Sequence, residues 1–564
     1  MRRVLSLSAV AMVAALTFST AACKKADEAT EKLKQQRLNL ATAEELYLQH
    51  LGQTVAANNN LEASSQVSVF LSAATVNQLL AVLNGVSGKI PSIPNATFHI
   101  VSFESTFRDG FPLLKLAGEA ERSDLNLRVS MSIYAAIQPM VRTDQPNSLF
   151  LTFQVVDALP VVQWGKLEAK LEGFVKNLIQ VKLTEYAAAL PEIRVPLRSD
   201  FSLDLPANEQ NVSFPVPNGT VSGVISVPAI HTAQSIYIHN VLFLSDGLHV
   251  MMTLERGSGE IPLAFPLQQH TELSGTQLDS QVNSKEASVK QLQQGLAPKV
   301  AALRVTDAAV RVWVSQTLFS SLVGAFNSLP APSRHLHYRT TGTTGQLVST
   351  GGGAPFGCGY YAEITGGNSA SADVDLANIR SKWAADGAIS LDADFAAAFS
   401  SQVSAHGNSL PGFCMVRNSI GITAPDVHGG LQCRCPTGGG IGTSVGVTGS
   451  KGGSLSARIG LRSDATTWLG YDLSLTGPPN IDVTLSAGLG QIGSLGVPVH
   501  FPLPLRALAS GIAPPIFTES GTVSLGNPAV VKRGYQFTIT PKKGQPDSNG
   551  YAVKGDVSVR WLTL

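Results

Sequence analysis

The chain has 564 residues, of which 44% are hydrophobic and 14% charged, and its formal net charge at pH 7 is +1. The charged share is well below the roughly 25% of typical globular proteins, and no cluster of Lys and Arg supplies the attraction that nucleic acid requires. The length exceeds the roughly 250–300 residues at which a single core stops growing. We therefore exclude a nucleic-acid partner and expect at least two domains.

The first residues have the layout of a secretory signal. Arg2 and Arg3 form a short positive region, and an uncharged apolar run from Val4 to Phe18 follows. This run is too short for a permanent membrane-spanning helix. Small residues then lead to Cys23.

The end of this signal resembles the lipobox of bacterial lipoproteins. The matching residues are Thr20-Ala21-Ala22-Cys23, although that pattern usually has a larger aliphatic residue in place of Thr20. The resemblance implies that residues 1–22 are cleaved and that the Cys23 sulfur receives a lipid, which anchors the chain durably. Lys24 after the cysteine implies an outer-membrane lipoprotein, on the periplasmic or the surface face. The alternative is an ordinary secretory signal with an unmodified cysteine.

Four further cysteines lie in the C-terminal half of the chain, namely Cys358, Cys414, Cys433 and Cys435. An even count in an exported protein predicts disulfides, and four cysteines allow three pairings. Because a bond between Cys433 and Cys435 would close a strained ring, we expect each of them to pair with Cys358 or Cys414. A zinc site is disfavoured, since this spacing is tighter than Cys-x₂₋₄-Cys and only His428 lies nearby.

The mature chain begins with a polar, helix-prone segment, residues 23–60, which we interpret as the lipid anchor and a helical spacer that lifts the folded part off the membrane. A first α+β module follows over residues 61–262. It opens with a strand, Val67–Leu71, and Ser72 is suited to cap a helix. That helix carries an apolar face at helical spacing, formed by Val76, Leu79, Leu80 and Leu83.

The rest of the first module alternates apolar and polar residues, as antiparallel strands with one buried face do. A long amphipathic helix is predicted within it, from Val162 to Leu190, with Leu171, Phe174 and Leu178 on its apolar face. Later strands form a hairpin over Ser245-Asp246-Gly247. Residues 263–303 are predicted to be a linker that contains a further amphipathic helix.

A second, glycine-rich and disulfide-containing β module is predicted over residues 304–564, and its start repeats the start of the first. Laid without gaps over Val67–Asn84, the segment Val310–Asn327 reproduces the strand, the capping serine and the apolar face. The residues of the second face are Phe319, Leu322, Val323 and Phe326. Self-similarity at a fixed offset is typical of repeated units.

This arrangement resembles the tubular lipid-binding superfamily, which includes bactericidal permeability-increasing (BPI)-like proteins. The resemblance rests on Val67–Asn84, Val162–Leu197 and Val310–Asn327. It implies an α+β fold of two duplicated modules, each a curved antiparallel sheet packed on amphipathic helices, with an apolar tube for acyl chains. The short first helix and the lack of a long second helix in the later module depart from the superfamily's pattern.

We therefore expect an envelope lipoprotein that binds lipid or another apolar ligand and needs no cofactor. The predicted lining is Val76, Leu79, Leu80, Leu83, Leu171, Phe174, Leu178, Phe319, Leu322, Val323 and Phe326. The alternative is a structural or surface-interaction lipoprotein in which these side chains only fill a core, since protein interiors normally pack without voids.

Catalytic and metal sites are not predicted. Gly442-Thr-Ser444-Val-Gly446 fits the G-x-S-x-G pattern of serine hydrolases, and Asp482 and His500 follow in the matching order, but the glycine-rich segment after Ser444 cannot begin the helix that this motif requires. His335 and His337 share one strand face, yet no carboxylate or cysteine accompanies them in the sequence. A metal site needs three or four ligands.

Overall fold

The computed structural model describes residues 22–57, 65–142, 144–170, 193–255, 273–344, 360–407, 441–463, 469–502, 510–524 and 532–563, with short gaps inside several ranges, and also Lys176, Asn177 and Gln180. These residues form an α+β structure that is rich in strand and built from curled antiparallel sheets. The α+β class predicted from the sequence is thereby confirmed.

Helices and strands are numbered here in chain order. The helices are α1 (Ala22–Ala57), α2 (Ala73–Ala81), α3 (Gly275–Ala301) and α4 (Gln316–Asn327). The strands up to residue 253 are β1 (Val67–Ser72), β2 (Ser87–Lys89), β3 (Ala96–Thr106), β4 (Leu113–Arg122), β5 (Leu127–Arg142), β6 (Gln145–Trp164), β7 (Leu167–Lys170), β8 (Ile193–Val195), β9 (Asp200–Leu205), β10 (Asn208–Val216), β11 (Gly219–Val227), β12 (Ile230–Ser235), β13 (Tyr237–Leu244) and β14 (Gly247–Thr253). The later strands are β15 (Val310–Ser315), β16 (His335–Thr344), β17 (Tyr360–Glu363), β18 (Ala370–Trp383), β19 (Ile389–Gly407), β20 (Ile441–Arg462), β21 (Leu469–Leu475), β22 (Asn480–Gly488), β23 (Ser494–Pro502), β24 (Ser510–Ile512), β25 (Ser520–Ser524), β26 (Lys532–Pro541), β27 (Gln545–Asp547) and β28 (Gly550–Thr563).

The sheets join strands from both ends of the chain. One sheet is a meander of β2 to β7 in sequence order, with β8 beside β6. The central sheet has the order β13-β14-β1-β15-β28-β26-β25, and a long third sheet has the order β10-β11-β16-β18-β19-β20-β21-β24. Strands from before and after residue 304 are therefore neighbours in two sheets, so the predicted modules share backbone hydrogen bonds.

The largest apolar core brings together the meander and one face of the central sheet. It contains Val69 and Val312 from the middle of the central sheet and Ile133 and Leu149 from the meander. In β3 the burial alternates residue by residue, which is the pattern of a strand with one covered face. The alternation predicted from the sequence thus corresponds to the inward face of the meander.

The predicted spacer is helical, as α1, but it does not stand apart from the folded body. Tyr47, Leu48 and Leu51 are fully buried, and Leu48 and Leu51 pack with the outer face of β13 and β14. Helix α3 runs parallel to α1, since Lys34 pairs with Asp279 and, further along both helices, Glu44 contacts Gln293. The sequence missed this packing because α1 covers apolar residues far along the chain.

The predicted helix from Val162 to Leu190 is wrong in its first part. Residues 162–164 belong to β6 and residues 167–170 form β7, which pairs with β6 in antiparallel register from Val161 opposite Lys170. Backbone pairing across this hairpin satisfies the hydrogen-bonding groups of these residues in place of a helix. Helical conformation is present further on, at Lys176, Asn177 and Gln180.

Candidate functional site

Helices α2 and α4 begin in the same way. Each follows a strand of the central sheet, and each has a serine as its N-cap: Ser72 Oγ accepts from the Thr75 N–H at 3.1 Å, and Ser315 Oγ accepts from the Leu318 N–H at 3.1 Å. A serine at this position satisfies a backbone donor that the helix itself leaves open. The capping role predicted from the sequence is thus confirmed in both helices.

A matching asparagine fixes each helix end to a neighbouring sheet. The Asn84 Oδ1 accepts from the Phe103 N–H at 2.7 Å, and the Asn327 Oδ1 accepts from the Ile379 N–H at 2.9 Å. Phe103 lies on β3 and Ile379 on β18. Two helices that the sequence pattern predicted are therefore held at both ends by the same kinds of contact.

The apolar faces of α2 and α4 are directed to one shared core. Val76 and Leu80 are half-buried and pack against the core that contains Phe319 and Leu322, which are 9% and 2% exposed. Val323 and Phe326 are half-buried. The structure thus brings together Val76, Leu80, Phe319 and Leu322 of the predicted lining, whereas Val323 and Phe326 are not part of this core. Leu83, Leu171, Phe174 and Leu178 lie outside the described residues, as does the side chain of Leu79.

Several large apolar side chains on the meander and on its β3–β4 connection pack against this core yet keep part of their surface exposed. They are Phe107, Leu113, Leu151, Phe153 and Val156. We refer to these five side chains, together with Val76 and Leu80, as the apolar interior surface. Apolar area that stays accessible beside a core is the kind of lining that apolar ligands require.

A second group of side chains lies on the long third sheet, where β16 pairs with β18. These side chains are on the polar face of the two strands, and the other face is buried. The register places His335 opposite Asp375 and His337 opposite Asp373. His335 Nε2 lies 2.9 Å from Asp373 Oδ1, and His337 Nδ1 lies 2.6 Å from the same oxygen. His335 Nδ1 lies 2.9 Å from Asp375 Oδ1. We call these four residues the His–Asp group.

The electrostatics of the His–Asp group follow from these contacts. The hydrogen bond to Asp375, assisted by that to Asp373, raises the pKa of His335 above its usual value. Burial acts to raise the pKa of Asp373, but the hydrogen bonds from His337 and His335 outweigh it, so that this pKa is lowered. Asp373 is therefore a carboxylate at neutral pH, shared by two imidazoles.

The sequence predicted no metal ligand here because it offered two histidines without a third partner. Asp373 lies 36 residues beyond His337 and becomes its neighbour through strand pairing. Only the alternating sequence Asp373-Val374-Asp375, which resembles His335-Leu336-His337 in period, could have suggested that two polar strand faces meet. Three ligand atoms, from His335, His337 and Asp373, lie within 4.8 Å of one another.

The remaining predicted sites are distributed as follows. Ser444 lies inside β20 and pairs with Ser404 of β19, so the G-x-S-x-G segment is continuous strand and not a turn between a strand and a helix. Asp482 is paired with His500 across β22 and β23. Cys23 lies in the first turn of α1. The cysteines predicted to form disulfides, Cys358, Cys414, Cys433 and Cys435, lie outside the described residues.

Comparison with known proteins assigns the chain to no family. No family model and no curated protein matches the chain. A solved structure, that of P47 from Clostridium botulinum A2, is similar over 61% of this chain and 75% of that chain, with 10% identity and a TM-score of 0.19. A similarity of this size carries no argument about the chain. Within the described residues, no helix has both the length and the apolar character needed to cross a bilayer.

Proposed function

We propose that this chain is an envelope lipoprotein that binds lipid or another apolar ligand at the apolar interior surface, and that it is built from two BPI-like copies of one unit. The observation that carries the proposal is the set of partly buried apolar side chains on Val76, Leu80 and the meander, which pack against a core with residues from both repeat segments. The function needs shape and apolar lining, and it needs neither a cofactor nor a catalytic residue.

The central sheet supports the duplication. Strands β1 and β15 pair antiparallel with Val69 directly opposite Val312, and these two valines are equivalent in the sequence repeat. On either side the pairing is reciprocal, since Val67 lies opposite Val314 and Leu71 lies opposite Val310. Reciprocal contacts of this kind are the mark of a two-fold axis between equal units.

The hairpins that flank this pair extend the same symmetry. Strand β14 pairs with β1 so that Gly247 lies opposite Ser72, and β28 pairs with β15 so that Gly550 lies opposite Ser315. The carbonyl of Asp246 accepts from the N–H of Ala73, the first residue of α2, at 2.7 Å. In the same way, the carbonyl of Asn549 accepts from the N–H of Gln316, the first residue of α4, at 2.8 Å. The turn sequences, Ser-Asp-Gly and Ser-Asn-Gly, differ at one position.

The start of α1 supports a membrane-bound position. Cys23 lies in the first turn of this helix, and Thr30 already contacts Asn177 of the body at 3.3 Å. The seven residue steps from Cys23 to Thr30 span about 10 Å at 1.5 Å per residue. A lipid on Cys23 would therefore hold the body close to the bilayer, where acyl chains are available.

Lipid binding is tested on the full mature chain, delipidated, exposed to vesicles of phosphatidylethanolamine and phosphatidylglycerol, and then analysed by native mass spectrometry. We expect stoichiometric bound phospholipid. Val76→Trp should lower the affinity about tenfold, because displacing two acyl methylene groups costs about 0.8 kcal/mol each. Val101→Trp is the matched control, since Val101 is 48% exposed on β3 and lies outside the apolar interior surface.

Two results would contradict the proposal. A wild-type chain that carries no phospholipid after exposure would favour the alternative of a structural or surface-interaction lipoprotein with filled cores. Equal loss of lipid in the Val76 and Val101 variants would place the ligand elsewhere on the chain. Circular dichroism of each variant separates a loss of binding from a loss of folding.

A further inference from the structure

We propose that the His–Asp group is a binding site for a divalent transition-metal ion, with His335 Nε2, His337 Nδ1 and Asp373 Oδ1 as ligands and zinc as the best-fitting ion. Asp375 orients His335 and does not itself bind the ion. This site lies on a polar sheet face, so its existence does not depend on lipid binding.

The three ligand atoms already lie together, and the two nitrogens would have to move roughly 0.5–0.8 Å away from Asp373 Oδ1 to surround a tetrahedral ion, whose ligand atoms lie about 3.4 Å apart. The Oδ1 of Asp373 lies within 2.9 Å of one imidazole nitrogen and 2.6 Å of the other, and the three ligand atoms are within 4.8 Å of one another. Zinc binds nitrogen and oxygen ligands at about 2.0–2.2 Å in a tetrahedral arrangement. An ion among these atoms would replace the protons that now join the imidazoles to the carboxylate.

The donor set selects the class of ion. Two imidazoles and one carboxylate suit zinc and its neighbours in the transition series, whereas calcium and magnesium prefer sites made of oxygen alone. Three protein ligands leave the fourth position of a tetrahedron to water or to an outside ligand. His335, Asp373 and His337 are 33%, 42% and 45% exposed, so an ion can reach them from solvent.

The surroundings hold the ligands in place. On the other face of the same two strands, Leu336, Tyr338, Ala372 and Val374 are buried, and this packing fixes the pairing of β16 with β18. With Nε2 bound to the ion, the ring proton of His335 is on Nδ1, which lies 2.9 Å from Asp375 Oδ1 and donates to it. A carboxylate that accepts from the second nitrogen of a metal-bound histidine fixes the ring and its tautomer, as in many zinc sites.

The test titrates zinc into the full mature chain after metal removal, with isothermal calorimetry for affinity and native mass spectrometry for stoichiometry. We expect one zinc equivalent to disappear in His337→Ala and in Asp373→Asn, with affinity at this site falling roughly 100-fold or more. Asp375→Asn should retain the equivalent but bind it about 10- to 100-fold more weakly, as a lost orienting partner does.

The matched control is His99→Ala, which removes another exposed strand histidine, one that contacts Ser87 and lies outside the His–Asp group. It should bind zinc as the wild type does. The proposal is overturned if the wild-type chain takes up no zinc at micromolar concentration. It is equally overturned if both ligand variants keep the wild-type stoichiometry and affinity, because the zinc would then be held elsewhere on the chain.

Discussion

The hydroxyl of Tyr47 completes the free edge of the central sheet, and its removal gives a sharp prediction. Tyr47 lies on α1 and is fully buried. Its hydroxyl donates to the Val241 carbonyl at 3.1 Å and accepts from the Phe243 N–H at 2.7 Å. Both partners belong to β13, which is the terminal strand of this sheet. The side chain thus occupies the place of a neighbouring strand and covers an edge that would otherwise remain open.

Tyr47→Phe keeps the ring and removes both hydrogen bonds. The variant leaves a backbone donor and a backbone acceptor unpaired beside a fully buried ring, and an unpaired buried group costs about 1–3 kcal/mol. Because the carbonyl of Val241 has a second lone pair, we place the total cost at about 2–3 kcal/mol. Burial raises the pKa of Tyr47, so its hydroxyl keeps its proton across the working pH range.

Hydrogen exchange measured by mass spectrometry on the peptide that contains β13 reports this change locally. A cost of 2–3 kcal/mol should accelerate exchange at Phe243 by roughly 30- to 150-fold, since each 1.4 kcal/mol is a factor of ten. Tyr237→Phe is the control on the same strand, because the Tyr237 side chain is only half-buried. Unchanged exchange in Tyr47→Phe would refute the idea that this hydroxyl completes the sheet edge.

Two further predictions concern the serine caps of α2 and α4 and the hairpin between β13 and β14. Ser72→Ala and Ser315→Ala should each lower the free energy of unfolding by about 1 kcal/mol in urea titrations, and a large difference between them would mean that the caps are not equivalent. In Asp246, burial acts to raise the pKa, but the hydrogen bonds from His249 and the backbone outweigh it, so that the pKa is lowered from 3.8. Ionised Asp246 therefore stabilises the fold above pH 3.8, and this contribution is lost as the pH falls through the lowered pKa. Asp246→Asn should cost about 1–2 kcal/mol at neutral pH and nothing in strong acid; a difference that stays constant with pH would contradict this.

The features that the sequence predicted correctly depend on residues that are close together along the chain. The strand Val67–Ser72, its capping serine and the following helix depend on residues within a few positions of one another, and all three are found as expected. The hairpin over Ser245-Asp246-Gly247 is local in the same sense, and it joins β13 to β14 as predicted.

Pairing between distant segments explains what the sequence could not predict. The helical period beginning at Val162 was overridden because β7 finds a strand partner in β6. The polar segment after Cys23 was expected to be a spacer, yet Tyr47 and Leu51 are buried, since the apolar residues that α1 covers come from β13 and β14, about two hundred positions later.

The sequence by itself determined the strand, cap and helix that begin at Val67 and the matching strand, cap and helix that begin at Val310, because helical spacing and capping chemistry act over short distances. The tertiary structure alone decided that the strands Val67–Ser72 and Val310–Ser315 lie side by side, with Val69 opposite Val312. It alone brought Asp373 to His335 and His337. A strand's neighbour and register depend on which apolar faces, from distant parts of the chain, are buried together. The local sequence pattern shows which face of a strand is apolar but does not show which other strand covers it.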